Sequence, residues 1–204
     1  MDIKRLDGQS LRRIKAALFL LALIPCLQLI IGAISYDLGT NPIEKITRTT
    51  GYWTLTFLMV TLSVTPLRRL TGWLWWIRLR RMLSLFAFFY ASLHFLTYLV
   101  LDQFFDWDSI IKDIAKRPYI TVGFTTFLLM VPLALTSTNN MIKKLGGKNW
   151  RRLHRLVYLT AVGGVVHYWW LVKKDPSNPI SFALVLMLLF GIRLYYLAKN
   201  ANKG

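Results

Sequence analysis

Three histidines, His94, His154 and His167, are the only imidazoles in the chain, and each falls in or at the edge of a strongly apolar stretch. An ionisable side chain at membrane depth is costly to leave without a partner, so it marks a candidate functional site by default. Imidazole is also the usual axial ligand for iron in a buried tetrapyrrole. The stretch Leu153–Val172 holds two of the three. His154 sits at its head and His167 lies 13 residues on, about 20 Å further along a helix axis. That spacing leaves the two side chains about 140° apart on an ideal helix, so they do not share a face. Each also has a plainer reading, His154 as an interfacial histidine and the other two as hydrogen-bonded core residues.

The elements that must position them are membrane helices. Of 204 residues, 55% are hydrophobic and 17% charged, a balance that points away from a soluble domain. Six apolar spans are expected, over 16–35, 51–66, 82–101, 119–137, 153–172 and 180–198. The first is too long for the core of a signal peptide and reads as an uncleaved helix. The second is the most polar, with Thr54, Thr56, Thr61 and Thr65 along it and Pro66 at its expected end. The expectation is an all-α, six-helix transmembrane bundle with both termini cytoplasmic. It divides into a basic cytoplasmic N-terminus (1–15), a six-span membrane domain (16–198) and a cytoplasmic tail (199–204).

Charge supplies the orientation. Nineteen of the 26 Lys and Arg residues fall at the N-terminus, in the loops after spans two and four, and near the C-terminus. That side is cytoplasmic by the positive-inside rule. Asp2 and Asp7 join it, and the other seven carboxylates face the opposite side, where seven cations balance them. The net charge of +17 is thus a topology signal and calls for no nucleic-acid partner. Cys26 is the only cysteine, which excludes an intrachain disulfide, a Cys-x-x-Cys redox pair and covalent haem attachment.

Counting residues inward from the basic side puts His94 about 18 Å and His167 about 21 Å deep. Two imidazoles at one level on neighbouring helices suit a hexacoordinate b haem. Gly163 and Gly164 would leave room for a flat ring against the helix backbone. His154 lies near the basic surface with Arg80 and Arg81 at its level. That end would hold a second haem with its propionates on the arginines, or an anionic flavin, or a quinone headgroup. The tryptophans read as interfacial belts, Pro25 and Pro132 as helix kinks, and Arg193 as snorkelling or touching a cofactor carboxylate. A proton-coupled transporter would place a carboxylate inside the membrane, and all nine lie in expected loops or tails. Transmembrane electron transfer accounts for histidines at matched depths. A channel or a structural anchor does not.

The chain also resembles a known family, on stretches spread over nearly all of it from about residue 16. They are Asn41-Pro42-Ile43-Glu44, Thr50-Gly51-Tyr52-Trp53, Thr65-Pro66-Leu67-Arg68, Arg80-Arg81-Met82-Leu83, Tyr90-Ala91-Ser92-Leu93-His94, Lys116-Arg117-Pro118-Tyr119-Ile120-Thr121, Leu135-Thr136-Ser137, Trp150-Arg151-Arg152-Leu153-His154-Arg155-Leu156-Val157-Tyr158 and His167-Tyr168-Trp169. In these it is similar to the MsrQ family, haem-binding membrane subunits of bacterial MsrPQ methionine sulfoxide reductase systems, within the ferric-reductase-like transmembrane proteins. Ser84 stands where that family often has glycine.

The resemblance implies a six-helix b-type cytochrome of the bacterial inner membrane that also uses FMN. Electrons would come from the quinone pool or a cytosolic flavin reductase. They would pass to a periplasmic molybdopterin subunit, MsrP, that repairs oxidised methionines of envelope proteins. His94, His154 and His167 match the family's haem-ligand positions. The chain has no dinucleotide-binding or catalytic domain, so the catalytic site is expected on the partner subunit. The alternative is a quinol-linked or ferric-reductase-like cytochrome with another acceptor.

Overall fold

The computed structural model describes residues 6–172 and 175–201, and every regular element in that range is helical. α1 (Gly8–Ile34) begins where Asp7 accepts hydrogen bonds from the amides of Gln9 and Ser10, well before the apolar run itself. α2 (Pro42–Thr71) opens on Asn41 as cap and Pro42 in the first turn, and ends at Gly72 with φ +73°. α3 (Trp76–Leu96) passes into a π-helical turn (Thr97–Asp102) that begins three residues after His94. α4 (Trp107–Lys116), α5 (Pro118–Leu135), α6 (Asn139–Leu145), α7 (Gly147–Leu153), α8 (Leu156–Leu171) and α9 (Ser177–Ala201) follow. Two regions expected to be loops are therefore helical, one forming amphipathic α4 and the other the short pair α6 and α7.

The expectation of a six-helix transmembrane bundle with both termini cytoplasmic needs correcting. Among the described residues four helices are long and apolar enough to cross a membrane: Gly8–Ile34, Trp76–Asp102, Pro118–Leu135 and Ser177–Ala201. The other two expected spans fail for different reasons. α2 has the length, and residues 49–67 between Arg48 and Arg68 carry no charge, but six threonines and Ser63 leave that stretch too polar. α8 has the composition but only 16 residues, about 24 Å against a hydrocarbon thickness of about 30 Å. The termini at 1–5 and 202–204, with the charges counted there, lie outside the described residues, as do Lys173 and Lys174.

α2 is the central helix. It supplies more of the buried core than any other, including Leu55, Phe57, Leu58, Met59, Leu62 and Val64. Its most extensive packing is with α3, and the other extensive pair is α5 with α8. Phe57 stacks on both Phe86 and Tyr90 of α3, with centroids 5.5 and 5.6 Å apart. The buried Tyr90 hydroxyl donates to Ala22 O at 2.7 Å and accepts from Cys26 N at 3.3 Å. Those two backbone groups are an i, i+4 pair of α1, so the tyrosine is inserted into that helix beside Pro25.

Pro66 does not end its helix, which runs on to Thr71. Proline has no amide hydrogen, so the carbonyl four residues back, on the fully buried Leu62, loses its helical donor. Arg193 of α9 supplies the replacement. Its Nη2 donates to Leu62 O at 2.6 Å, its Nη1 donates to the Tyr158 hydroxyl, and the guanidinium lies over the Tyr158 ring. One arginine thereby joins α9 to α2 and α8 through a bond that proline left open. Arg193→Met is expected to destabilise the protein by about 1–2 kcal/mol, the value of a charged or intramembrane hydrogen bond. Pro66→Ala should recover part of that loss by restoring the amide donor. A double-mutant cycle on unfolding in detergent tests the coupling, and purely additive effects would contradict it.

Candidate functional site

His94 and His167 reach the centre of the bundle from different helices and meet there. Their ring centroids are 6.1 Å apart. His94, on α3, donates from Nδ1 to Thr47 O of α2 at 3.0 Å. His167, on α8, donates from Nδ1 to Tyr119 O of α5 at 2.6 Å. A carbonyl oxygen only accepts, so Nδ1 carries the hydrogen in both rings. In a neutral imidazole this leaves Nε2 with its lone pair, ready to act as a ligand. Among the described residues neither Nε2 makes a hydrogen bond.

The two halves of the site are built alike. Each carbonyl acceptor lies one turn before a glycine, Thr47 before Gly51 and Tyr119 before Gly123. Each imidazole rests on the bare face of that glycine. A Cβ on Gly51 would stand 3.1 Å from the His94 ring, and one on Gly123 would stand 2.6 Å from the His167 ring. Thus α2 receives the histidine of α3, and α5 receives the histidine of α8, in the two helix pairs that pack most extensively. Sequence reasoning missed both glycines. The available signal was a glycine at the expected depth on each helix flanking a histidine helix, with spare carbonyl capacity one turn earlier.

Gly163 and Gly164 do other work. A Cβ on Gly164 would stand 2.8 Å from Leu55 Cδ2, and one on Gly163 would collide with the Thr126 hydroxyl. They bring α8 close to α2 and α5. Gly164 also lines the cavity that holds both rings, and Gly163 does not. That cavity measures about 170 Å³, and its other walls include Leu55, Leu58, Phe95, Phe127 and Met130. Two neutral nitrogen donors in apolar surroundings cannot complete the shell of a bare ion. Among the described residues no third His, Cys, Asp or Glu joins them. A planar macrocycle supplies the missing equatorial donors. Two metal–imidazole bonds of about 2 Å with their ring radii span a distance close to that between these centroids. The residues therefore fit an iron tetrapyrrole held between them.

His154 is elsewhere and is hydrogen-bonded differently. It caps α7 at the break before α8, half-buried and stacked on Trp150 at 3.9 Å. The Thr136 hydroxyl donates to Pro132 O at 2.6 Å, so its oxygen accepts from His154 Nε2–H at 3.0 Å. His154 therefore holds its hydrogen on the nitrogen that the other two leave bare. It lines a second cavity of about 50 Å³ with Arg80, Thr61, Ser84 and Ser137, and the buried Thr61 hydroxyl has no partner there. Leu58 and Met130 line both cavities, which therefore adjoin. Arg81 does not belong to this group. It donates to Asn139 Oδ1 at 2.6 Å and borders an outer groove, because consecutive residues of a helix point about 100° apart.

Comparison with known proteins places the chain in a family. Residues 50–165 match the family described as "Ferric reductase like transmembrane component", a range that includes α3, α5 and most of α8. Three relatives named "Protein-methionine-sulfoxide reductase heme-binding subunit MsrQ" align over nearly the whole chain. The one from Herminiimonas arsenicoxydans is 53% identical over 96% of this chain and 90% of its own. The one from Ralstonia nicotianae is 51% identical over 98% and 93%. The one from Azospira oryzae is 59% identical over 91% and 80%. With multiple apolar helices and identity of this extent, the chain is a multi-pass inner-membrane protein and belongs to the MsrQ family of ferric-reductase-like transmembrane components.

Proposed function

We propose that this chain is the haem-binding, electron-transferring membrane subunit of a methionine sulfoxide reductase system. On this reading it passes electrons across the inner membrane to a periplasmic molybdopterin subunit that reduces methionine sulfoxide in envelope proteins. The observation that carries the reading is the His94–His167 pair, two Nδ1–H tautomers whose bare Nε2 atoms share one apolar cavity. These two residues would hold the iron of a b haem. Bound haem supplies a one-electron carrier. The chain's own part is to fix the rings through Thr47 O and Tyr119 O, to make room for them with Gly51 and Gly123, and to surround them with largely apolar walls.

Electrons are read as arriving at the Arg80–His154 end. The small cavity there offers a guanidinium, an imidazole and hydroxyls, a polar set that suits the phosphate of FMN or the carbonyl of a quinone. His154 reaches such a donor through Nδ1, or through Nε2 once Thr136 releases it. Ligation of a second haem by His154 requires the same release. Leu58 and Met130, shared by the two cavities, form the short partition between the donor end and the iron ligands. Catalysis on methionine sulfoxide is assigned to the partner subunit. The direct test is to reduce the purified protein and add a periplasmic molybdopterin reductase. Reoxidation that depends on methionine sulfoxide is expected, and a stable reduced spectrum would refute the assignment.

Removing either member of the ligand pair, by His94→Ala or His167→Ala, is expected to abolish the low-spin haem spectrum, whereas His154→Ala preserves that signal and slows reduction by quinol or flavin. Gly123→Ala should disturb the spectrum more than Gly51→Ala, since the added carbon stands closer to its ring; equal effects would show that ring clearance is not what the glycines provide. Steady-state donor kinetics should separate the two arginines. Arg80→Gln weakens donor use at least severalfold, while Arg81→Gln leaves it near the wild-type value.

A further inference from the structure

A groove of about 710 Å³ runs between α1 and α3 on the outside of the bundle, sharing no wall with the His94–His167 cavity and meeting the His154 cavity only at Leu85. One end is cationic, with Lys15 from α1 and Arg78 and Arg81 from α3. The walls then become wholly apolar. On α1 they are Phe19 and Leu23, and on α3 they include Leu85, Phe86 and Phe89. Along α1 the sequence Lys15, Phe19, Leu23 advances by four residues at a time, which places them on one stripe of the helix. Along α3 the arginines come first and Phe89 lies about 16 Å further on. Phe19 meets Phe86 edge to face at 5.2 Å, joining the two helices across the groove.

Charge decides what fits. The described residues contain two ion pairs, Arg48–Glu44 and Arg117–Asp113, and neither involves this groove. Lys15, Arg78 and Arg81 thus converge without a carboxylate among the described residues. Asn139 accepts from Arg81 Nη2 at 2.6 Å and holds that guanidinium at the groove. Three convergent donors above an apolar trough match a phosphate carrying an acyl chain, since guanidinium and ammonium groups pair strongly with phosphate oxygens. An uncharged isoprenoid would leave the cations unmatched.

We propose that this groove is a binding site for an anionic diacyl phospholipid, its phosphate held by Lys15, Arg78 and Arg81 and one acyl chain laid along Phe19, Leu23, Leu85 and Phe89. The lipid fills the trough between α1 and α3, where α1 otherwise touches the bundle sparingly. The site is independent of the haem reading.

The test is native mass spectrometry of the full-length protein from mixed micelles of phosphatidylglycerol and phosphatidylcholine. Selective retention of phosphatidylglycerol is expected. The variant K15Q/R78Q/R81Q should weaken retention on the order of a hundredfold, and Arg78→Gln alone roughly fivefold. Exposed cations of α1 outside the groove provide the control, so R12Q/R13Q should retain the lipid as the wild type does. Leu23→Trp, which fills the trough without changing charge, should also lower retention. Equal retention of the two lipids, wild-type retention by the triple variant, displacement by inorganic phosphate alone or occupancy by an isoprenoid quinone would each overturn the proposal.

Discussion

The site depends on a hydrogen bond from a side chain to a backbone carbonyl, made twice. Each histidine of the central pair gives its Nδ1 hydrogen to a carbonyl of the neighbouring helix. That single donation selects the tautomer, aims the other nitrogen at the cavity and sets the ring's angle to the helix. The carbonyl is already part of a helix and uses a second lone pair, so the bond takes nothing from the backbone ladder. A ring can approach a helix this closely only where a side chain is missing, which is why Gly51 and Gly123 stand one turn beyond the acceptors.

The remaining architecture serves that arrangement. α2 with α3 and α5 with α8 form two helix pairs, each delivering one imidazole. Their relative position is held by contacts with little freedom, such as Gly164 of α8 against Leu55 of α2, while Gly163 against Thr126 tightens α8 onto α5. Two further devices repair or interrupt helices at prolines. Arg193 bonds the Leu62 carbonyl that Pro66 leaves open, and Tyr90 enters the backbone of α1 beside Pro25. In an apolar medium a free backbone group has no water to turn to, so the donor that Arg193 brings to Leu62 O replaces the one that proline removed.

The two ends of the internal path differ chemically. The His94–His167 cavity is largely apolar with nitrogen donors, which suits an iron cofactor. The His154 cavity is the more polar of the two, with Arg80 and hydroxyls among its walls, which suits a charged or carbonyl-bearing donor. His154 is spent on Thr136 and stacked on Trp150, so it is held in place by a different set of contacts. Outside the bundle, the opposite face of the same α3 segment carries Arg78 and Arg81 toward lipid. One short basic stretch thus serves two surfaces, as a helix allows when neighbouring residues point in different directions.

Composition and spacing alone determined that the chain is helical and membrane-embedded, and residue counts placed His94 and His167 at similar depth. Both follow from local properties, hydrophobic length and rise per residue, which act without knowledge of neighbours. Where α2 ends was not legible, because the guanidinium that lets it continue past Pro66 comes from Arg193, 127 positions later in the chain. The six-span reading went wrong on α2, whose threonines make it too polar, and on α8, which is broken from α7 at His154 and left with 16 residues. Only tertiary structure decided which glycines face the imidazoles, which nitrogen of each ring carries its hydrogen, and that Arg80 and Arg81 part company. Each of these depends on what stands opposite a residue, and helix packing alone sets that.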